Sequence, residues 1–271
     1  MIWVDGEAGA GLPADDRGLA YGDGLFETMR VVDDGVPLLE RHLARLAAGC
    51  ARLALEGLDQ AVLRRELAAA SAGPGAAVLK LVVTRGSGPR GYRVTPGRPP
   101  RRIISRQPLP DWPATQAREG IRARTCSTRL GVGGPLAGLK HLNRLEQVLA
   151  RSEWQDGDIV EGLMLDAEGS VVGGTMTNLF LVSAGALQTP SLDRCGVAGV
   201  ARGLLIDCAA ARGLRVVERR IAPAELAAAD ALFVCNAVVG VWPLRELDGR
   251  RCGTSALVAE LVAAARAQGL A

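Results

Sequence analysis

The stretch GGPLAGLKHLNRLEQVLARSEW, Gly133 to Trp154, sets Lys140 between a Gly/Pro-rich turn and a helix-forming run. From about Leu142 to Trp154, Leu142, Leu145, Val148 and Leu149 recur at helical spacing, which predicts a helix with a core-facing apolar stripe directly behind the lysine. A lysine at such a junction points into a cleft while the helix holds its backbone still. The position matters because lysine occupies only two of the chain's 32 basic positions, Lys80 and Lys140, and arginine the rest. Arginine keeps its charge at any physiological pH. A desolvated lysine amine gives up its proton and then attacks a carbonyl or holds a Schiff base. Lys80 lies in AAVLKLVVTRG, Ala76 to Gly86, whose aliphatic and β-branched density reads as a strand, with Lys80 a lysine of the sheet face or edge. The search for amine chemistry therefore centres on Lys140.

Composition bounds the alternatives. The 271 residues suffice for one large domain or two small ones, and 48% hydrophobic with 23% charged residues is ordinary for a globular chain with a good core. A net charge of +3 with no basic, aromatic-interleaved tract argues against nucleic acid. No apolar run reaches the roughly 18 residues that span a bilayer, and MIWVDGEAGAGL lacks the pattern of a signal peptide, so a cytoplasmic protein with no membrane partner is expected. Six cysteines without a CxxC pair, and histidine only at His42 and His141, disfavour a metal site and a Ser-His-Asp hydrolase. Gly86 to Gly91, GSGPRG, lacks the ending and spacing of a phosphate loop.

Periodicity predicts two parts and an α+β fold. The first, residues 1–106, reads as strands at Ile2–Val4, Leu25–Val32, Ala77–Arg85 and Arg101–Ser105 around helices at Leu38–Leu55 and Gln60–Ala72. Residues 107–116, QPLPDWPATQ, with three prolines, read as a linker. Residues 117–271 read as a barrel-like domain that carries the lysine. Its short strands fall near Ile121–Ser127, Gly162–Asp166, Thr177–Val182, Leu214–Arg219, Ala231–Val234 and Val239–Leu244, with helices at Leu142–Trp154, Ala198–Arg212, Pro223–Ala228 and Thr254–Gln268.

Six segments carry a resemblance. DRGLAYGDGLFETMRV (16–31), LLERHLARL (38–46), LKHLNRLEQVLAR (139–151), GTMTNLFLV (174–182), CGVAGVARGLL (195–205) and VCNAVVGVWPL (234–244) occur in the order seen in fold-type IV pyridoxal phosphate enzymes. That family includes branched-chain and D-amino-acid aminotransferases and the aminodeoxychorismate lyases, and the match spans nearly the whole chain. LAGLKHLNRLEQVLAR and TRGSGPRGY (84–92) look most like the lyases.

The resemblance implies an N-terminal α/β sandwich, a C-terminal barrel-like domain and a homodimer. It implies pyridoxal 5'-phosphate on Lys140 as Schiff-base lysine and proton acceptor, and conversion of 4-amino-4-deoxychorismate to 4-aminobenzoate and pyruvate, a step towards folate. An aminotransferase on the same fold is the alternative. The family motifs further imply that Arg45 contacts the cofactor phosphate, that Asn178, Val200, Ala201, Asn236 and Ala237 contact the cofactor, mainly through main chain at the last four, and that Thr28 handles a proton at the leaving group. Taken alone, Arg45 reads as a solvated helix arginine and Thr28 as a packing residue of a strand. The substrate's two carboxylates lead to Arg85 and Arg90, in a glycine-rich loop, with Arg144 a further possibility. One departure stands out: the aminotransferases, and some of the lyases, carry a glutamate for the pyridine nitrogen five residues before the Asn of NLF, where this chain has Gly173. Thr175, Thr177 or Glu161 are the candidates to serve that nitrogen, and the missing carboxylate favours elimination over transamination.

Overall fold

A computed structural model describes residues 1–33 and 35–270. These divide into two compact units, Met1–Pro110 with Leu139–Asn143, and Asp111–Gly138 with Arg144–Ala271.

In the first unit, strands β1 (Ile2–Val4), β2 (Glu7–Ala8), β3 (Gly24–Val31), β4 (Ala77–Thr84) and β5 (Arg101–Pro108) form an antiparallel sheet in the order β2-β1-β5-β4-β3. Strict alternation in β3 and β4 buries Leu25, Met29, Val31, Leu79, Leu81 and Val83 on one face. Helices α2 (Leu39–Arg52) and α3 (Gln60–Ser71) cover that face with Leu43, Leu46, Leu63 and Leu67. The Asp59 carboxylate caps α3 by accepting from the Ala61 and Val62 N–H groups. Gly49, inside α2, is a glycine because a Cβ there would meet Leu25 Cδ1 at 2.8 Å. Short helix α1 (Arg17–Tyr21) precedes β3, with Asp16 as its cap.

The second unit holds α4 (Ala114–Glu119), β6 (Ile121–Leu130), α5 (Leu145–Arg151), β7 (Ile159–Asp166), β8 (Val171–Gly174), β9 (Asn178–Ser183), β10 (Ala186–Pro190), α6 (Val200–Ala210), β11 (Val216–Arg219), α7 (Pro223–Ala227), β12 (Ala231–Asn236), β13 (Gly240–Leu247), β14 (Arg250–Arg251) and α8 (Ala256–Arg266). Its sheet runs β11-β10-β9-β12-β13-β6-β7-β8, with β14 off β13. The two ends of that order approach each other, since the Val171 N–H at β8 donates to the Ile221 carbonyl just beyond β11, which gives the curled, barrel-like sheet its near-closure. Phe180 and Phe233, both buried, stack at 5.0 Å between ring centroids on the sheet face opposite Leu179, Leu181, Leu232 and Val234.

Three expectations change. The boundary blurs, because β5 runs to Pro108 and α4 begins at Ala114, inside the expected linker. Lys140 joins the first unit, not the second. The reason is main-chain bonding: Phe26 N–H donates to the Lys140 carbonyl, Leu142 N–H donates to the Gly24 carbonyl, and Leu25 bridges His141, so residues 139–143 cover the free edge of β3. Helix α5 consequently starts only at Leu145, and the stripe expected to face a core is exposed: Leu145, Val148 and Leu149 are 69%, 58% and 55% accessible, while Ala150 and Trp154 provide the buried contacts.

Candidate active site

Lys140 is held by its own backbone on the edge of β3, and its Nζ lies 4.2 Å from the centroid of the Phe26 ring. Alternation puts Phe26 and Thr28 on the face of β3 turned away from α2 and α3. Thr28 is half-buried there and is the direct cross-strand partner of Lys80, whose Nζ lies 5.4 Å from the same ring. Both lysines of the chain thus meet one phenylalanine. Lys80 does lie on a sheet face, as its strand context suggested, but that face also carries Thr28 and the Lys140 amine.

The other face of β3 carries a residue the sequence reading passed over. Glu27, 1% accessible, stands in the stripe Leu25, Met29, Val31 where a hydrophobe is expected. Its carboxylate takes a bond from buried His42 Nδ1 at 2.6 Å and two from Arg45, Nε at 2.8 Å and Nη2. Burial pushes the Glu27 carboxyl up, but the bonds from His42 and Arg45 outweigh it and hold it below the usual range. Burial pushes His42 down, against the pull of Glu27, so the imidazole is neutral and donates its Nδ1–H. Arg45 is therefore no loosely solvated helix arginine: its bonds to Glu27 set the direction of its guanidinium. An acidic residue inside an alternating apolar stripe was the available signal for Glu27.

This cluster ties stability to pH. Unfolded histidine binds a proton below about 6.5 while folded His42 resists it, so the unfolded state gains protons first and stability falls as pH drops below that value. Glu27, depressed in the fold, adds a second loss as pH falls below about 4.3 and through its folded value. We expect the thermal midpoint to decline from pH 7 to 5 and again below. Glu27→Gln, which strands Arg45 and His42, should cost about 3–5 kcal/mol at pH 7 and flatten the acid limb. Thermal melts across pH check this, and a Glu27→Gln curve parallel to wild type would overturn it.

Arg85 corrects an expectation. Its Nε and Nη2 bond both Asp23 oxygens, and Nη1 and Nη2 bond the carbonyls of Ala54 and Leu53, so this guanidinium holds the fold instead of facing a ligand. Burial raises the Asp23 carboxyl, but Arg85 and Arg17 together pull it below its usual range. Arg90 is exposed in the following loop, which Arg17 pins through the Gly91 and Tyr92 carbonyls.

In the second unit, Glu161 is fully buried. One oxygen accepts from the Gly162 and Thr175 N–H groups and the Thr175 hydroxyl, the other from the Met176 N–H and the Thr177 hydroxyl. It thereby fixes the turn between β8 and β9. Gly174 lies so close that a Cβ would sit 2.5 Å from Glu161 Oε2, and Gly173 stands without a side chain in the same turn. Asn178 donates to the Val197 carbonyl at 2.8 Å, bracing the turn that enters α6. That helix begins at Val200 after Gly199, and no side chain caps its first N–H groups, at Val200 and Ala201. The Asn236 carbonyl oxygen of the side chain accepts from the Val238 and Val239 N–H groups, making a tight turn around Ala237. Gly138, two residues before Lys140 in the chain, pairs with this α6 approach: its N–H donates to the Gly196 carbonyl, and its carbonyl accepts from Ala198.

Comparison with known proteins adds to this geometry. The family model "Amino-transferase class IV" matches residues 24–247. The chain is 32% identical to the aminodeoxychorismate lyase of Vibrio harveyi over 244 residues, 90% of each protein. It is 34% identical to a putative branched-chain-amino-acid aminotransferase of Methanocaldococcus jannaschii over 243 residues, 87% of this chain and 82% of that one. Among solved structures, the 4-amino-4-deoxychorismate lyase of Pseudomonas aeruginosa superposes with a TM-score of 0.95 at 50% identity, covering 98% of both chains.

Proposed function

This chain belongs to the class IV aminotransferase family, and from that premise we propose that it is a pyridoxal-phosphate-dependent lyase that converts 4-amino-4-deoxychorismate to 4-aminobenzoate and pyruvate. The observation that carries the reading is Lys140, its backbone fastened to β3 and its amine set against Phe26 on the face that bears Thr28.

Residues in each unit suit the cofactor's chemistry. In the first, Lys140 offers an amine on a fixed backbone and Arg45 a guanidinium whose direction Glu27 sets; in the second, no side chain caps the Val200 and Ala201 N–H groups at the start of α6, a terminus that suits a phosphate. Asn178 supports that helix entry, and the turn at Asn236 and Ala237 supplies main-chain contacts. Bound pyridoxal phosphate supplies an electron sink for the carbon bearing the substrate's amine. Lys140 Nζ is the base that removes the proton from that carbon. Thr28 Oγ1 passes its proton to the ether oxygen of the enolpyruvyl group as the bond from ring carbon to oxygen breaks, and the proton that Lys140 took from carbon restores the hydroxyl. The ring becomes aromatic, and the released enol becomes pyruvate by moving one proton from oxygen to carbon. Arg90 is the proposed contact for a substrate carboxylate. Gly173 leaves its turn without a carboxylate side chain, which suits an elimination that aromatisation drives.

The exposed face of Leu145, Val148 and Leu149 on α5 supports a homodimer. A monomeric mass by light scattering at micromolar concentration would contradict it. Among the described residues no helix is long and apolar enough to cross a membrane, and six free cysteines fit the reducing cytoplasm, which cell fractionation would test.

The direct test adds 4-amino-4-deoxychorismate to the purified protein with cofactor and follows 4-aminobenzoate fluorescence and pyruvate together. Equimolar appearance of both is the expected result. Amino transfer from an amino acid to 2-oxoglutarate, with no 4-aminobenzoate, would instead make the protein a transaminase.

A further inference from the structure

We propose that Arg17 and Tyr21 are positioning residues for Arg90, a role that rests on the lyase reading and the Arg90 contact proposed above. Residues 85–100 join β4 to β5 as a loop, and Arg90 is exposed on it. A side chain on such a segment samples many positions unless its backbone is fastened. Helix α1 fastens it on both sides of Arg90. The Arg17 N–H donates to the Gly86 carbonyl at 2.9 Å, and Arg17 Nη1 donates to the Gly91 carbonyl at 2.8 Å. The Gly91 N–H, which belongs to the peptide bond directly after Arg90, donates to the Tyr21 hydroxyl at 3.2 Å. Before Arg90, the Arg17 stem passes so close to Gly88 that a Cβ there would meet Arg17 Cδ at 2.9 Å, and the Pro89 ring fixes its own φ.

Arg17 is itself held. Its Nε donates to Asp23 Oδ2 at 2.9 Å, its guanidinium lies 4.9 Å from the centroid of the Tyr21 ring, and Arg85 grips the same Asp23 carboxylate. With Nε given to Asp23, the planar fork sends both Nη groups to the loop, Nη1 to Gly91 and Nη2 to the Tyr92 carbonyl at 3.4 Å. The Tyr21 and Tyr92 rings meet at 5.4 Å although Tyr92 is 84% accessible, so specific contacts and not burial hold this end of the loop. The fold alone does not ask for them. Strands β4 and β5 pair from Ala77 to Thr84, and Thr84 Oγ1 anchors the start of the loop by donating to Asp16 and accepting from the Gly86 N–H. What Arg17 and Tyr21 add falls at residue 91, next to the arginine. A fastened Arg90 spares the ordering cost that a carboxylate would otherwise meet on binding.

The test compares Arg17→Lys and Tyr21→Phe with wild type, each alone and combined with Arg90→Ala, all loaded with cofactor. Arg17→Lys keeps a cation for Asp23 but lacks the fork, and Tyr21→Phe removes one hydroxyl. Each should raise KM for 4-amino-4-deoxychorismate about threefold to tenfold, with kcat within about twofold of wild type. Arg90→Ala should raise KM about tenfold or more. In that background the other two substitutions should change KM by less than about twofold, because the side chain they act through has gone. A merely structural role would raise KM by the same factor with and without Arg90. Trypsin should also cut after Arg90 about threefold faster or more in both variants. Tyr21→Phe decides the matter should Arg17→Lys not fold. The proposal falls if Tyr21→Phe leaves KM at the wild-type value, if its effect multiplies with that of Arg90→Ala, or if cleavage after Arg90 is unchanged. A wild type that makes no 4-aminobenzoate removes the lyase reading and this role with it, and an indifferent Arg90→Ala in an active enzyme removes the Arg90 contact. A raised KM in Arg90→Ala beside an indifferent Tyr21→Phe removes only this assignment.

Discussion

Lys140→Ala folds like the wild type and loses the chemistry, with kcat/KM for 4-amino-4-deoxychorismate down by about 10⁴-fold or more. The fold survives because residues 139–143 hold β3 through main-chain bonds, the Phe26 N–H to the Lys140 carbonyl and the Leu142 N–H to the Gly24 carbonyl, and alanine keeps both. What the substitution removes is the amine over Phe26, and no arginine of this chain replaces it, since a guanidinium stays protonated. The visible absorption of the lysine-bound cofactor disappears with it. Lys80→Ala is the internal control, because its amine shares the ring but should leave that absorption in place. A Lys140→Ala protein that keeps the band, or a Lys80→Ala protein that loses it, would exchange the roles of the two lysines.

Glu161→Ala is the second large effect, and it acts on stability. The carboxylate is buried without solvent contact and accepts from three N–H groups and two threonine hydroxyls. Alanine leaves those donors unpaired, the Gly162 N–H and the Thr177 hydroxyl where water does not reach, and breaking a buried network of this kind costs about 3–5 kcal/mol. Glu161→Gln should recover little, because the amide nitrogen turns donor towards donor at half of the contacts. The turn from Gly173 to Thr177 loses its anchor as well, so cofactor affinity should fall together with the denaturant midpoint. Equilibrium unfolding and a cofactor titration read the two effects, and a midpoint shift worth less than about 0.5 kcal/mol would mean that β8–β9 pairing alone holds the turn.

Much of the fold is legible along the chain. The helices α2, α3, α6 and α8 and the strands β3, β4, β6 and β12 begin and end within a few residues of the positions their periodicity predicts. Elements of a few residues, such as β2 and α1, and the hairpin strand β10 carry too little pattern to stand out from their turns. The lysine of the candidate site was legible too, from its rarity and its place after a glycine-rich turn. Asn236 and Asn178 were named by resemblance, and the structure shows their side chains bracing turns, at Val238 and Val239 in one case and at Val197 in the other.

The sequence by itself determined most of the longer helices and strands, which face of β3 and β4 is apolar, and that Lys140 is the amine to watch, because periodicity and composition act over a few residues and are written in chain order. Only the tertiary structure decided that Lys140 belongs to the edge of β3, that Lys80 stands opposite Thr28, that Glu27 aims Arg45, that Arg85 is consumed by Asp23, and that the apolar stripe of α5 faces outward. Each of these depends on the register or docking of segments far apart in the chain. A cross-strand partner is fixed by which hydrophobic faces pack together over the whole sheet, and no local pattern around either residue carries that information.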